Sequence, residues 1–282
     1  MVATTTPPPS ATVRQRTFYT VWAGQSVSLL GSQLTGFALA LWVFGDTGST
    51  LQLSLVFLAM VAPSIVVYPF AGTLVDRWDR RWAMILSDSG AGLATLTLAV
   101  LLLTGTLELW HVYVALAFTS VFQAFQFPAY TAATSLLVPK EDYGRAAGLV
   151  QLSGGVAAIA SPFLAGILLV TVGLGGVVLA DLATFLIALG TLCGVRFPQP
   201  DVSAAGLKGK GSVWQETKFG FRYLRERRGL FGLLVFFAGW NVVLGFFSVL
   251  MIPLLLSIAG EAIVGAAASI GAGGLIVGGL IM

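Results

Sequence analysis

Seven long stretches of this chain carry almost no charge: 17–45, 47–75, 82–107, 109–139, 146–195, 229–260 and 262–282. Two acids, Asp88 and Asp181, interrupt them, and no Lys or Arg does. A helix needs about 20 apolar residues to cross a bilayer. Each stretch is long enough for one crossing, and 146–195 is long enough for two, with a turn expected near "TVGLGG" at 171–176. Eight spans result. With 57% of residues hydrophobic and 10% charged, against roughly 25% charged in a soluble domain, the chain cannot coat so much apolar surface for water. In lipid, only α-helices and closed barrels satisfy their own backbone polar groups. A barrel would show alternating segments of about 10 residues, which are absent. The expected class is an all-α integral membrane protein.

Charge places the loops. The 15 Lys and Arg residues fall in four places: Arg14 and Arg16 before the first span, Arg77, Arg80 and Arg81 between the second and third, Lys140 and Arg145 between the fourth and fifth, and eight from Arg196 to Arg228. The alternate loops carry only Asp46, Glu108 and Glu261. By the positive-inside rule the amino terminus and the basic loops are expected to be cytoplasmic, in a cell membrane. The net charge of +3 therefore reflects orientation, and no nucleic-acid partner is expected.

These marks divide the chain into a disordered cytoplasmic tail (1–17), a six-helix bundle (18–195), a cytoplasmic linker (196–228) and the first two helices of a second bundle (229–282). In the linker, Val213, Thr217, Phe221 and Leu224 recur at helical spacing opposite Lys218, Arg222, Arg225 and Arg228. That pattern fits an amphipathic helix on the membrane surface, or a solvated basic connector. The sequence stops at Met282 inside the eighth span with no flanking charge, as expected of a truncated chain. Six helices, a long loop and further helices is how transporters built from two repeats begin.

The densest charge lies in "GTLVDRWDRR" at 72–81, where five charged residues arrive within six positions. Gly72, Leu74, Asp76, Arg77, Arg80 and Arg81 resemble the signature G-x-L-a-D-R-x-G-R-[RK] of the major facilitator superfamily, in the corresponding loop. Asp79 stands where that pattern has Gly, as in the branch of macrolide-efflux proteins and the enterobactin exporter. The segments at 125–149, 179–192 and 213–226 are also similar to that branch. The resemblance implies a transporter fold, a six-helix bundle followed by the start of a second, and a conformational latch made by Gly72, Asp76, Arg77, Asp79, Arg80 and Arg81. Gly72 would let the end of its helix approach a neighbour, and the arginines would bridge to acids on adjacent helices. A turn that merely sets topology is the alternative, since exposed ion pairs contribute only about 0–1 kcal/mol each.

The fifth span reads "GLVQLSGGVAAIASPFLAG" at 148–166. Gly148, Ser161, Pro162 and Gly166 resemble an antiporter signature of the same superfamily, in which three glycines are replaced here by Ala157, Ser161 and Ala165. Ordinary small-residue packing explains the same pattern. An acid at the centre of a span costs about 2.5–3.5 kcal/mol on insertion scales and needs a partner, water or a proton. Asp88 and Asp181 are thus candidate coupling residues. Asp88 is expected to join Arg80 and Arg81, and Asp181 is either a proton carrier or a hydrogen-bonded contact between helices.

Uncharged polar residues mark a cavity better. Gln25, Ser28, Ser32 and Thr35 share one face of the first span, and Gln123, Gln126, Tyr130 and Thr134 one face of the fourth, with Phe122 and Phe127 close by. Asn241 adds a polar group in the seventh. Amides and hydroxyls among aromatics suit an amphiphilic small molecule. Enzymatic chemistry finds little: His111 is the only histidine, and there is no HExxH, no Cys–His cluster and no phosphate-binding G-x4-G-K-[ST] loop. Lone Cys193 excludes an internal disulfide. No cofactor or metal is expected. The functional expectation is a proton-coupled exporter, monomeric at full length, with membrane lipid and an amphiphilic substrate as its partners. A siderophore or metabolite exporter of the same fold, a non-transporting scaffold or receptor, and an importer are the alternatives.

Overall fold

The computed structural model describes residues 11–195, 197, 221–258 and 270. Its helices are α1 (Ala11–Thr47), α2 (Thr50–Val75), α3 (Arg80–Leu103), α4 (Leu109–Leu137), α5 (Tyr143–Thr171), α6 (Gly173–Gly194) and α7 (Arg228–Ile258). A 3-10 turn at Lys140–Asp142 joins α4 to α5, and residues 221–226 are helical before α7. No strand occurs among the described residues. All seven long helices are long and apolar enough to cross a membrane by length and composition. The eighth expected span, 262–282, apart from residue 270, the tail residues 1–10 and linker residues 196 and 198–220 lie outside the described residues.

One boundary needs correcting. α1 begins at Ala11, so 11–17 are helical and not part of a disordered tail. Ala, Arg and Gln in "ATVRQRT" are strong helix formers, and a turn that projects beyond the lipid keeps its backbone bonds at no cost to burial. The expected turn at 171–176 is found at Val172 and Gly173, the latter at φ +69°.

The bundle is organised around α1. It packs against α5 and α6, while α3 packs against α4 and α6, and α2 against α4. Two apolar layers show which ends lie together. Near the arginine-rich turn, Val21, Val75, Ala83, Ala133 and Leu192 form one buried cluster from α1, α2, α3, α4 and α6. At the far end Leu41, Leu53, Leu98, Val112 and Val178 form another. The far-end turns use Gly48, Gly105 and Gly173, all at positive φ, where an L side chain would be strained. Large apolar side chains also cover the outside: Ile65 and Val66 of α2 are 62% and 69% exposed, a surface suited to lipid and not to water.

Two glycines of α1 set its distance from α6. A Cβ on Gly24 would lie 2.9 Å from Thr191 Cγ2, and one on Gly31 would lie 2.8 Å from Asp181 Oδ1. The two glycines and the two threonines that they meet, Thr191 and Thr184, are each seven residues apart, or about two helical turns. This seam presses α6, and with it Asp181, directly onto the α1 backbone.

Candidate functional site

The polar residues of the bundle interior form two layers on α1 and α3. In the layer nearer the basic end, Gln126 Nε2 donates to Gln25 Oε1 (2.6 Å), and Gln25 Nε2 donates to Asp88 Oδ2 (2.7 Å). This chain of amides runs from α4 through α1 to a buried carboxylate on α3. Gln25 and Asp88 are both buried. Close to it on α4, the hydroxyl of Tyr130 and the Oε1 of Gln126 are buried without a hydrogen-bond partner. In a low-dielectric interior such unpaired polar atoms are costly, and a hydrogen-bonding guest would satisfy them.

The second layer lies seven residues further along both helices, about 10 Å by the helical rise. Here Ser32 Oγ donates to Asp181 Oδ1 (3.3 Å) and Thr95 Oγ1 donates to Asp181 Oδ2 (3.2 Å). Asp181 is only 4% exposed. Beside it is a cavity of about 60 Å³ whose lining also includes Thr35, Ser120 and Gln123. Ser120 reaches α2 as well, since its Oγ accepts the N–H of Ser64 (3.2 Å) immediately after Pro63.

Several expected placements hold less well. Asp88 does not join Arg80 and Arg81. It sits more than two turns along α3 from Arg80, about 12 Å of rise, and faces α1 instead. Arg81 turns to α6, where its Nε donates to Leu192 O and its Nη2 to Cys193 O, both at 2.8 Å. A guanidinium there satisfies carbonyls that a helix end otherwise leaves unpaired, and meets the negative end of the helix dipole. Asp79 caps α3, its Oδ1 accepting from Arg81 N (2.8 Å) and Trp82 N (3.2 Å). Asp76 is the exposed C-cap residue of α2, with backbone bonds to Gly72 and Leu74. Arg77 is half-buried in the same turn. The Nε of Arg80 is buried without a hydrogen-bond partner. A Cβ on Gly72 would meet nothing among the described residues, so the close approach expected there is not made by this part of the chain.

On α5, Ala157, Ser161, Ala165 and Gly166 are buried. Ser161 Oγ donates to Leu30 O on α1 (3.3 Å), and Pro162 follows it at a half-buried position. Gly148 borders open space. Asn241 on α7 is exposed among the described residues and donates to Phe237 O of its own helix (2.8 Å). His111 closes a turn at the start of α4, its Nδ1 accepting the Glu108 N–H (3.0 Å). Sequence reasoning missed Thr95. Its signal was present, because Thr95 follows Asp88 by seven residues and so shares its face of α3.

Arg81 yields a direct expectation. Arg81→Leu removes both bonds to the end of α6 and should lower stability by about 1–2 kcal/mol, the order expected for charge-assisted bonds that are partly solvated. Exposed Cys193 lies at the frayed end and should react several-fold faster with a maleimide. Arg81→Lys, with one point donor in place of a fork, should fall between. Unchanged melting and unchanged labelling in Arg81→Leu would remove the cap from the account.

Residues 21–282 match the Major Facilitator Superfamily. The chain is 34% identical over 218 residues to macrolide efflux protein A of Streptococcus pyogenes, covering 77% of this chain and 53% of that protein. It is 28% identical over 187 residues to the enterobactin exporter EntS of Salmonella typhi, covering 65% of this chain and 44% of that one. In fold it is similar to the crystal structure of a bacterial homolog of the human lysosomal transporter Spinster, in an inward-facing and unoccupied conformation. That match has a TM-score of 0.68 at 16% identity and covers 97% of this chain and 63% of the other. The chain spans about half the length of the efflux proteins it matches. A match that runs from Val21 to Met282, on a bundle with this helix order, leads to one assignment: the chain belongs to the Major Facilitator Superfamily.

Proposed function

We propose that this chain forms the amino-terminal bundle and the beginning of the second bundle of a proton-coupled exporter of amphiphilic small molecules. The family is one of membrane transporters and not of enzymes, and its efflux relatives favour export as the direction. The observation that carries the reading is the chain from Gln126 through Gln25 to Asp88. It joins a buried acid, about 12 Å of helical rise from Arg80, to the amide and aromatic face of α4. Substrate would bind beside Gln123, Gln126 and Tyr130, between this bundle and its counterpart. Proton exchange at Asp88 would be felt there through Gln25. Rocking of the two halves would expose the site alternately.

The basic turns support an orientation with the amino terminus and the 72–81 turn in the cytoplasm of a cell membrane. In that frame Gly72, Asp76, Arg77, Asp79, Arg80 and Arg81 would latch the cytoplasmic side. Arg81 binds α6, and exposed Asp76 is left for a contact beyond the described residues. The α5 face with Ser161 and Gly166 would bear on α1 during the antiport cycle. The full-length protein would act as a monomer in lipid.

The charge-poor stretches contain no Lys or Arg, so they offer an anionic group no ion pair. A lipophilic neutral or cationic molecule fits better. Counterflow in proteoliposomes of the full-length protein, comparing a lipophilic amine with a polyanionic chelate, tests this. The amine should exchange at least tenfold faster. Faster movement of the chelate would overturn the substrate class and would place the binding bases outside this chain.

A further inference from the structure

The layer around Asp181 has a different chemistry from the one around Asp88. Its cavity of about 60 Å³ is well below the roughly 300–1,000 Å³ of pockets that hold drug-sized molecules. Hydroxyls from Ser32, Thr35, Thr95 and Ser120 line it beside the carboxylate. These are hard oxygen donors, the kind that hard cations select.

Three observations point to an occupant. Thr35 is 5% exposed, lines the cavity and bears on Asp181, yet its buried Oγ1 lies outside close hydrogen-bond geometry with any described residue. A hydroxyl held at such depth with no close partner can turn its lone pairs to a guest. The two bonds that Asp181 accepts are long, at 3.3 and 3.2 Å, where a hydroxyl on a carboxylate normally lies at about 2.5–2.7 Å. Three hydroxyls thus ring the carboxylate, and none of them lies at close hydrogen-bond distance. Thr95 Oγ1 also lies 3.4 Å from Ala91 O on its own helix. Its proton can turn to that carbonyl and leave its lone pairs free.

Charge fixes the valence. Among residues 17–47, 50–75, 82–103 and 173–194, which supply the surrounding parts of α1, α2, α3 and α6, there is no Lys, Arg or His. The α4 residues at the cavity, 115–123, add no charge. One carboxylate facing one monovalent cation leaves the layer neutral, whereas a divalent ion would leave a net charge inside the membrane, which is expensive.

We propose that Asp181, with the hydroxyls of Ser32, Thr35 and Thr95, forms a binding site for a small monovalent cation of sodium or lithium size. The site is distinct from the Asp88 layer and does not depend on transport.

The test uses the full chain purified in detergent, at fixed pH and ionic strength. Thermal unfolding is followed in sodium, lithium, potassium and choline chloride, and binding is measured directly by equilibrium dialysis with radioactive sodium. Sodium and lithium should raise the melting temperature by several degrees over choline in a saturable way, with potassium weaker. Thr35→Val, which keeps the volume and removes the oxygen, should weaken sodium binding at least tenfold. Asp181→Asn should abolish it, and Asp88→Asn should leave it unchanged. Equal melting in sodium and choline with no sodium retained on dialysis would overturn the proposal. So would sodium binding that survives both Thr35→Val and Asp181→Asn. If Asp181→Asn fails to fold, Thr35→Val and Ser32→Ala decide by dialysis alone. Either failure would leave the exporter reading standing, because that reading is judged by counterflow.

Discussion

Gly31→Leu is expected to leave almost no folded protein. The position is closed by atoms that cannot all withdraw: even a bare Cβ would press on the Thr184 hydroxyl, stand 2.8 Å from Asp181 Oδ1 and 3.2 Å from Asp181 Cα. The last is backbone, so relief requires α6 itself to shift, and α6 is tied to α1 along a second contact at Gly24. Overpacking a core commonly costs about 1–3 kcal/mol, occasionally more. An isobutyl group here should reach at least the upper end, a large share of the roughly 5–15 kcal/mol that holds a folded protein together. Size-exclusion chromatography after detergent extraction gives the readout, with Gly190→Leu on α6 as the control. A Cβ at Gly190 meets nothing, so that variant should elute and melt like the parent. A monodisperse, normally melting Gly31→Leu would mean that α1 and α6 do not pack through this seam.

Asp88→Asn should abolish proton-driven accumulation of substrate in the full-length protein, by tenfold or more, while counterflow without a proton gradient persists. Asparagine keeps the volume, and its carbonyl can still accept the Gln25 amide that Asp88 accepts at 2.7 Å. The substitution therefore removes the titratable group and spares the contact. Gln25→Leu should act differently. It would cut the link to Gln126 and leave Asp88 without its amide donor, so melting should fall as well as transport. Accumulation by Asp88→Asn at the level of the parent would take the proton away from this residue. A loss of both accumulation and counterflow would recast Asp88 as a structural or substrate contact.

Much of this bundle could be read before any coordinates. Lipid leaves a charge-poor stretch of sufficient length only one spanning form unless it alternates, so the six helices of 18–195 and the turn at 171–176 followed from residue type alone. The polar faces of α1 and α4 were visible at helical spacing, because Gln25 and Ser32 repeat every two turns, and Gln123, Gln126 and Tyr130 within about the same span. Partnership between helices was not legible. Arg80 and Arg81 looked like the natural partners of Asp88 by proximity in sequence. Rise along α3 carries the acid away from them, while Arg81 meets the end of a helix whose last turn is more than 100 residues distant. Gly24 and Gly31 did not stand out among 34 glycines, since a close approach is a property of two helices and a sequence displays one at a time.

The order in which the buried acids meet their donors has a consequence for how the chain enters the membrane. Synthesis runs from the amino terminus, so a ribosome delivers Gln25 sixty-three residues before Asp88. It delivers Ser32 and Thr95 respectively 149 and 86 residues before Asp181. Each carboxylate thus emerges after the amide or hydroxyls that will hold it, and α6 can shed its exposed charge by docking onto helices already inserted. The reverse order would oblige an acid to wait in hydrocarbon for a partner not yet made. Because α1 supplies a donor to both, its early arrival serves as the template on which the later spans are sorted.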